Sequence, residues 1–399
     1  MDSRKVNIGL SLGADICWPI CYESLLVALT RDLHYDGHRI EVHCERVTIE
    51  PFNLRQPVKY DVVIDRLTHW YSTSREWIKK AILLNDLYVY NNPWSLQSNE
   101  KHTSYCAMMR LGLPIPETWM LPPKAYDVTD DLEATLRQYA RLFSLPEIGD
   151  RLGYPFFMKP YHGGGWRGVS KIDNADELNR AYDASGTEVM NLQAAVLPYE
   201  RFVRCVGLGP QTRKVNYDPG APLHDRYRMD HDFLSAEDAK VLENTTLTIN
   251  AFFGWDFNSC EALLRNGIWH PIDFANACPD SQVTSLHYHF PWLIKANLRW
   301  SLFVAATDKK MRRNLDWEPF YAVADRDLCP GIGALVEPER FGRALEVPVG
   351  PVGRPADPVL GGDELPLEEL ALGRHLASGL EDRLGPGLER PTTAGLRRD

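Results

Sequence analysis

One stretch constrains the fold more than any other: Tyr154–Asp173, YPFFMKPYHGGGWRGVSKID, a glycine-rich loop between two runs of strand character. Gly163, Gly165 and Gly168 spell G-x-G-x-x-G, a pattern that 28 glycines in 399 residues produce by chance fairly often, so its context has to give it meaning. A dinucleotide fingerprint requires a strand, the glycine loop and then a helix whose N-terminus takes the pyrophosphate. Here GVSKID follows the loop and alternates like a strand, and the helix-like run NADELNRAYDAS, with Asn174 as its cap, comes only afterwards. The loop therefore joins two strands and reads as a flap that folds over phosphates. A protein kinase would also need V-A-I-K beyond the loop, then H-R-D and D-F-G in that order. In this chain DFA at Asp273 precedes DRD at Asp325. The lysine that stands out is Lys159, before the loop, where a cation can meet a phosphate under the flap.

The rest of the chain supplies a frame for that loop. KVNIGLSL, HRIEVHCERVTI and YDVVIDRL have strand character, with a helix-like run, YESLLVALTRDLHYDG, between the first two. STSREWIKKAILLNDL reads as a second helix capped by Ser74, followed by the short strand YVYNNP. Alternating strand and helix over the first 95 residues predicts a small parallel α/β layer. NEKHTSYCAMMRLGLPIPETWML is a helix stopped at Gly112 that leads through Pro114 and Pro116 into a strand. HFPWLIKANLRWSLFVAATDKKMRRN is an amphipathic helix. The fold class is α/β, in segments 1–100, 101–190, 191–325 and 326–399.

Composition excludes several functions. A net charge of −10 argues against a general nucleic-acid or membrane-surface binder, which would want a basic face. No apolar run reaches the roughly 18 to 20 residues of a membrane span, and the N-terminus lacks the zones of a signal peptide, so a cytoplasmic protein is expected. The eight cysteines include no C-x-x-C and are expected as reduced thiols, with Cys17 and Cys21 a weak metal pair. Beyond Pro330 there is no Lys, Asn, Gln, Met, Cys, Trp or Tyr. That segment reads as a flexible tail, partly helical around LEELALGRHLASGLEDRL, or as the product of a reading-frame shift.

Five features in order carry a family resemblance: NEKHTSYCAMMRLGLPIPET, FFMKPYHGGGWRGV, NLQAAVLPYERFVRCV, Glu261 in SCEALLRNG, and WHPIDFANACPD. From Lys5 to Arg313 the chain resembles the ATP-grasp ligases, related in layout to D-alanine–D-alanine ligase and the ribosomal-protein glutamate-adding ligases. The resemblance implies an N-terminal α/β domain (1–100) followed by an α+β, two-subdomain ATP-grasp fold (101–190 and 191–325). It implies Lys101 and Lys159 as phosphate-contacting lysines and Gly163, Gly164, Gly165, Trp166 and Gly168 as the flap. Gln193 and Leu197 would lie at the adenine hinge, and Glu200 at the ribose. Glu261, Asp273 and Asn276 would hold magnesium, with manganese as an alternative. The implied reaction is ATP-dependent joining of a small-molecule carboxylate, such as an amino acid or peptide, to an amine through an acyl-phosphate. A homodimer is compatible with the layout.

Physical chemistry asks for these residue types independently. Transfer of a γ-phosphoryl group builds charge on oxygens that already repel, and magnesium, lysines and backbone N–H groups offset it. Magnesium takes oxygen ligands, usually one or two carboxylates with phosphates and water. RNG between Glu261 and Asp273 is a turn signal, so a hairpin would set the two acids side by side. Asn276 would add a neutral oxygen, and Trp166 would shield the flap from water. The plainer alternatives are a solvated Lys159, an exposed first-turn Lys101, a loop charge at Glu200 and a solvent-facing Gln193.

Two departures qualify the resemblance. Glu261 lies one residue closer to Gly267 than the family spacing, and Asn276 one residue further from Asp273; a one-residue slip reverses side-chain direction in a strand. Ser259 stands where an arginine is usual. Arg204, Arg213, Lys214, Arg226 and Arg228 are candidates to replace its charge, with Arg228 and Arg204 preferred as catalytic residues. The loop SLGADICWPICYES and the aromatics Trp18, Trp70, Tyr71 and Trp94 are candidates for the acceptor side. His287 and His289 read as structural or substrate-side residues on a strand. Two other functions stay open: a nucleotide-binding protein without ligase activity, and a phosphotransferase.

Overall fold

The computed structural model describes residues 3–48, 50–97, 100–140, 142–163, 167–313, 316 and 318–326. The expected tail, including its helical stretch, lies outside the described residues. Among the described residues no helix is long and apolar enough to cross a membrane.

The first sheet uses β1 (Ser3–Ser11), β2 (His34–Tyr35), β3 (His38–Arg46), β4 (Val62–Asp65) and β5 (Tyr88–Val89), with α1 (Cys17–Leu29) and α2 (Ser72–Asn85) between strands. Its order is β2-β3-β1-β4-β5, parallel except for the β2–β3 pair. Val62, Val63 and Ile64 are all buried, which is why VVID is a continuous apolar run rather than an alternating one. Two local expectations are corrected. The first helix begins earlier and stops at Leu29, because Asp36 and Gly37, both at positive φ, turn the chain into a β2–β3 hairpin. Ser74 does not cap α2; it is buried inside the helix, whose N-cap is Tyr71.

The second region contains α3 (Pro93–Gln97), α4 (Lys101–Arg110), β6 (Thr118–Leu121), α5 (Leu132–Tyr139), α6 (Leu145–Leu152), β7 (Phe156–Pro160), β8 (Ser170–Ile172), α7 (Ala175–Ala184) and β9 (Met190–Ala194). Gly112 ends α4 at φ +83. The antiparallel sheet runs β6-β9-β7-β8, so the glycine loop joins antiparallel neighbours. β9 belongs to this sheet, which therefore runs past residue 190. Asn174 caps α7, its Oδ1 accepting from Glu177 N at 3.0 Å, while Glu177 Oε2 accepts from Asp173 N at 2.9 Å. A separate apolar core, including Leu121, Phe156, Met158, Ile172, Leu178 and Leu192, fills the sheet with α6 and α7, whereas α4 packs Tyr105, Ala107 and Met108 against Ile249, Phe252 and Phe274 of the third region.

The third region contains β10 (Arg201–Leu208), β11 (Gln211–Asn216), α8 (Ala236–Phe253), β12 (Phe257–Arg265), β13 (Ile268–Asn276), α9 (Val283–Leu286), α10 (Phe290–Thr307) and α11 (Glu318–Arg326). Its antiparallel sheet has the order β11-β10-β12-β13. Asn266 and Gly267, both at positive φ, make the tight β12–β13 turn. One core joins this sheet to the first: Ile8, Leu10 and Ile64 share a cluster with Phe202, Leu208, Phe257, Ile294 and Leu302, with α10 between the layers. His287 and His289 lie in a 3-10 turn before α10, not on a strand. His289 Nδ1 accepts from Arg213 Nε at 3.2 Å and its Nε2 donates to the Arg228 carbonyl at 3.1 Å. Those bonds give His289 a structural role.

Candidate active site

Lys159, the fourth residue of β7, is 8% exposed. Its Nζ donates to Gln193 Oε1 at 2.8 Å and to the Ile272 carbonyl at 3.2 Å, and lies 5.5 Å from the Tyr105 ring centroid. Among the described residues no carboxylate comes within ion-pair distance of it. Burial pushes its pKa down, with Asp273 and Glu261 opposing. A buried cation held only by neutral acceptors and a ring is electrostatically incomplete and suits an incoming anion.

Lys101 opens α4. Its Nζ donates to the Gly163 carbonyl at 2.9 Å, and its backbone N–H donates to the Tyr161 carbonyl at 2.8 Å, so it is fastened to the entrance of the glycine loop. Burial lowers its pKa, Lys159 adds to that effect and Asp273 opposes it. Gly163 and Gly168 have φ of +88 and +69, and a Cβ on Gly168 would lie 2.9 Å from Pro160 Cγ, so both conformations favour glycine. Gly164, Gly165 and Trp166 lie outside the described residues. Beside them, the Arg167 guanidinium lies 5.6 Å from the ring centroid of Trp70, which is 48% exposed. Trp18 is buried in the shared core and Trp94 is half-buried.

On the hairpin, Glu261 of β12 and Asp273 of β13 are direct partners. Glu261 is buried and Asp273 partly exposed. Burial pushes the Glu261 carboxyl up to about 7; Arg204 and Lys159 hold it down and Asp273 pushes it further up. Ser259 pairs with Asn276, and the register slips between Ser259 and Glu261 and again between Glu261 and Ala262. β13 carries an extra residue at each slip. That bulged ladder answers the displaced spacing in the sequence, since three steps from Asp273 to Asn276 lie opposite two from Glu261 to Ser259. Two carboxylates and an amide form an all-oxygen set, and the repulsion between the paired acids favours a cation there. The set therefore fits a hard divalent ion such as magnesium. Among the described residues no group of three or more His, Cys, Asp or Glu gathers into a metal cluster, at Cys17 and Cys21 or elsewhere.

Arg204 faces Glu261 directly across the β10–β12 ladder, its Nη2 at 3.0 Å from Glu261 Oε1. Its Nη1 donates to Tyr227 Oη at 2.5 Å, and the guanidinium lies 5.1 Å from the Tyr217 ring centroid. Arg228 is different: it is exposed and its guanidinium pairs with Asp218, not with either acid of the hairpin. Arg226, two residues earlier, is the cation of that run whose field reaches Glu261.

The expected hinge residues have other bonds. Gln193 is buried on β9, its amide fixed between Lys159 and Thr118, where its Nε2 donates to Oγ1 at 3.0 Å. Glu200 is exposed and accepts from Asn266 N at 2.8 Å, tying the chain to the β12–β13 turn. Leu197, partly buried, precedes a cis proline.

Sequence reasoning missed Tyr105 and His69. Tyr105 Oη donates to the Ile272 carbonyl at 3.1 Å, beside Lys159. It lies four residues after Lys101 in α4, so helical spacing was a usable signal. His69 follows β4, its buried Nδ1 has no hydrogen-bond partner among the described residues, and burial lowers its pKa, as do Arg75 and Lys101, against Asp273. Loops at the carboxyl ends of parallel strands are common sites, and this rule applies to β4 as well as β1. The loop after β1 sends Asp15 into a buried ion pair with Arg66 at 3.0 Å, and Arg66 Nη2 donates to the Pro279 carbonyl at 2.9 Å.

No protein-family model matches the chain. Among solved structures it is similar to a RimK-domain ATP-grasp protein from Sphaerobacter thermophilus, with 13% identity, coverage of 73% of this chain and 99% of that one, and a TM-score of 0.49. It is also similar to a D-alanine–D-alanine ligase from Bacillus anthracis complexed with ATP, at 14% identity, 81% and 99% coverage and a TM-score of 0.48. A third is the VanG D-Ala:D-Ser ligase from Enterococcus faecalis, at 15% identity, 76% and 100% coverage and a TM-score of 0.48.

Proposed function

We propose that this chain is an ATP-grasp, ATP-dependent carboxylate–amine ligase that works through an acyl-phosphate. The observation that carries the reading is one convergence: Lys101 and Lys159 approach from α4 and β7, and the Glu261–Asp273 pair approaches from the hairpin, with Asp273 within electrostatic reach of both lysines and Glu261 of Lys159. In this reading residues 1–100 form the acceptor-side layer, 101–190 with the rest of β9 the flap-bearing part, and 191–325 the metal-bearing part.

The lysines bind phosphate oxygens, Lys159 held in place by Gln193 and Tyr105. Glu261, Asp273 and Asn276 hold magnesium, which when bound neutralises the phosphates and polarises the transferred group. Arg204 steadies Glu261 and, with Arg226, supplies positive potential where the usual arginine is replaced by Ser259. Residues of the flap keep water from the activated carboxylate. The substrates in this reading are a small carboxylate and an amine, amino acids or peptides, in a cytoplasmic protein.

The test is ADP release by the purified protein with ATP and magnesium against pools of amino acids and small carboxylates, beside Lys159→Ala and Asp273→Ala. Release that requires both a carboxylate and an amine and is lost in both variants supports the ligase. ATP binding without turnover would replace it with a nucleotide-binding protein. A stable phosphorylated product made without any amine would replace it with a phosphotransferase.

A further inference from the structure

Asn258 lies on β12 with no exposed surface, on the side of the sheet that packs against α8. Its side chain uses every hydrogen-bonding group it has. Nδ2 donates to Asn250 Oδ1 at 3.0 Å and to the Phe274 carbonyl at 2.8 Å, and Oδ1 accepts from the Asn276 backbone N–H at 2.9 Å. Phe274 and Asn276 flank Ala275, inside the first of the two β13 slips.

The position of that slip matters. In a regular strand, residues three apart point to opposite faces, so Asp273 and Asn276 would be separated by the sheet. The extra residue returns Asn276 to a place opposite Ser259, two positions from Glu261 on the same face. A bulge takes backbone groups out of the ladder, and buried backbone groups need partners. Asn258 supplies them from the neighbouring strand, and its bond to Asn250 anchors the arrangement to α8.

We infer that Asn258 is a positioning residue for the divalent-metal site: its carboxamide clamps the bulge and so fixes Asn276 on the face shared by Glu261 and Asp273. This rests on the reading that those three residues hold the metal. A carboxamide is required because the clamp uses two donors and one acceptor in one plane.

The test uses Mn²⁺ as the probe, titrated into the full-length protein with saturating ADP and followed by electron paramagnetic resonance, in wild type, Asn258→Ala and Asp273→Asn. Folding is followed by circular dichroism, and ADP affinity is measured separately in EDTA. Asn258→Ala is expected to weaken Mn²⁺ about tenfold to a hundredfold, the range for groups that support metal ligands, while metal-free ADP affinity stays within about twofold. Should the alanine variant not fold, Asn258→Ser carries the same expectation, since a hydroxyl cannot reach both Phe274 O and Asn276 N–H. Mn²⁺ affinity within about twofold of wild type in a folded variant overturns the clamp and leaves the metal site standing. Equal Mn²⁺ affinity in wild type and Asp273→Asn overturns the metal site, and the clamp with it.

Discussion

Arg204 and Glu261 are direct cross-strand partners whose charged groups meet at 3.0 Å with both side chains nearly out of solvent. Neither charge is comfortable alone in that setting. Replacing Arg204 with Met leaves the Glu261 carboxylate buried beside Asp273, and breaking a buried pair in this way costs about 3 to 5 kcal/mol. Urea denaturation at pH 8 is expected to show that loss, and a much smaller one when Arg204→Met is made in a Glu261→Gln background. Equal losses in both backgrounds would mean that the pair does not stabilise the fold.

The Glu261 carboxyl would give the proposed metal site a pH dependence. With its pKa raised by burial to about 7, it binds its proton more tightly folded than unfolded, so its contribution to stability is full below about 4.5 and fades as pH rises through 7. Metal binding runs the opposite way, because the ligand must be ionised. Mn²⁺ affinity is expected to rise between pH 6 and 8, and Glu261→Gln to flatten that rise. A profile unchanged by the substitution would assign the proton to another group.

Lys159 and Gln193 are joined at 2.8 Å, and a carboxylate in place of the amide would neutralise the lysine before any phosphate arrives. Gln193→Glu should weaken ATP about tenfold, and Lys159→Met about tenfold to a hundredfold, as expected for lost charge-assisted hydrogen bonds. Calorimetric titration with ATP measures both. Full affinity in Gln193→Glu would show that Lys159 does not meet the nucleotide.

At Gly168 the backbone has φ +69 and no room beside Pro160. Gly168→Ala therefore strains the end of the loop by about 1 to 3 kcal/mol. The effect should appear as a raised KM for ATP with a melting temperature within a few degrees of wild type. A variant with unaltered KM would separate the loop conformation from nucleotide binding.

Much of this was readable in the sequence wherever the cause is local. Asn174 as the cap of α7, the Asn266–Gly267 turn, Gly112 before two prolines, and a strand on each side of the glycine loop are short-range chemistry, and each stands as expected. Errors in local structure came from competing signals, such as Asp36–Gly37 cutting a helix short. At the site, the displaced spacing of Glu261 and Asn276 was visible, but the bulges that bring Asn276 opposite Ser259 are a property of two paired strands and of Asn258 behind them. The contacts of Arg228 and Gln193 were hidden for a similar reason. Their partners, Asp218 and Lys159, are chosen by tertiary geometry that no spacing encodes.

The central antiparallel sheet fills itself from its own side chains, Leu121 to Leu192, whereas the first and third sheets share one apolar cluster through α10. Moving the central sheet without α4 would leave these cores intact, and ties such as Lys159 to the Ile272 carbonyl would have to part. Helix α4 stays behind, because its Tyr105, Ala107 and Met108 pack in a further apolar cluster with Phe252, Phe253 and Phe274 of the third region. Lys159 would then travel with the central sheet, while Lys101, on α4, would stay with the hairpin that carries Glu261 and Asp273. In the proposed reading, a phosphate chain with its cation would draw the two parts together by meeting Lys159 on one and the carboxylate pair on the other, so the nucleotide would be the fastener as well as the reagent.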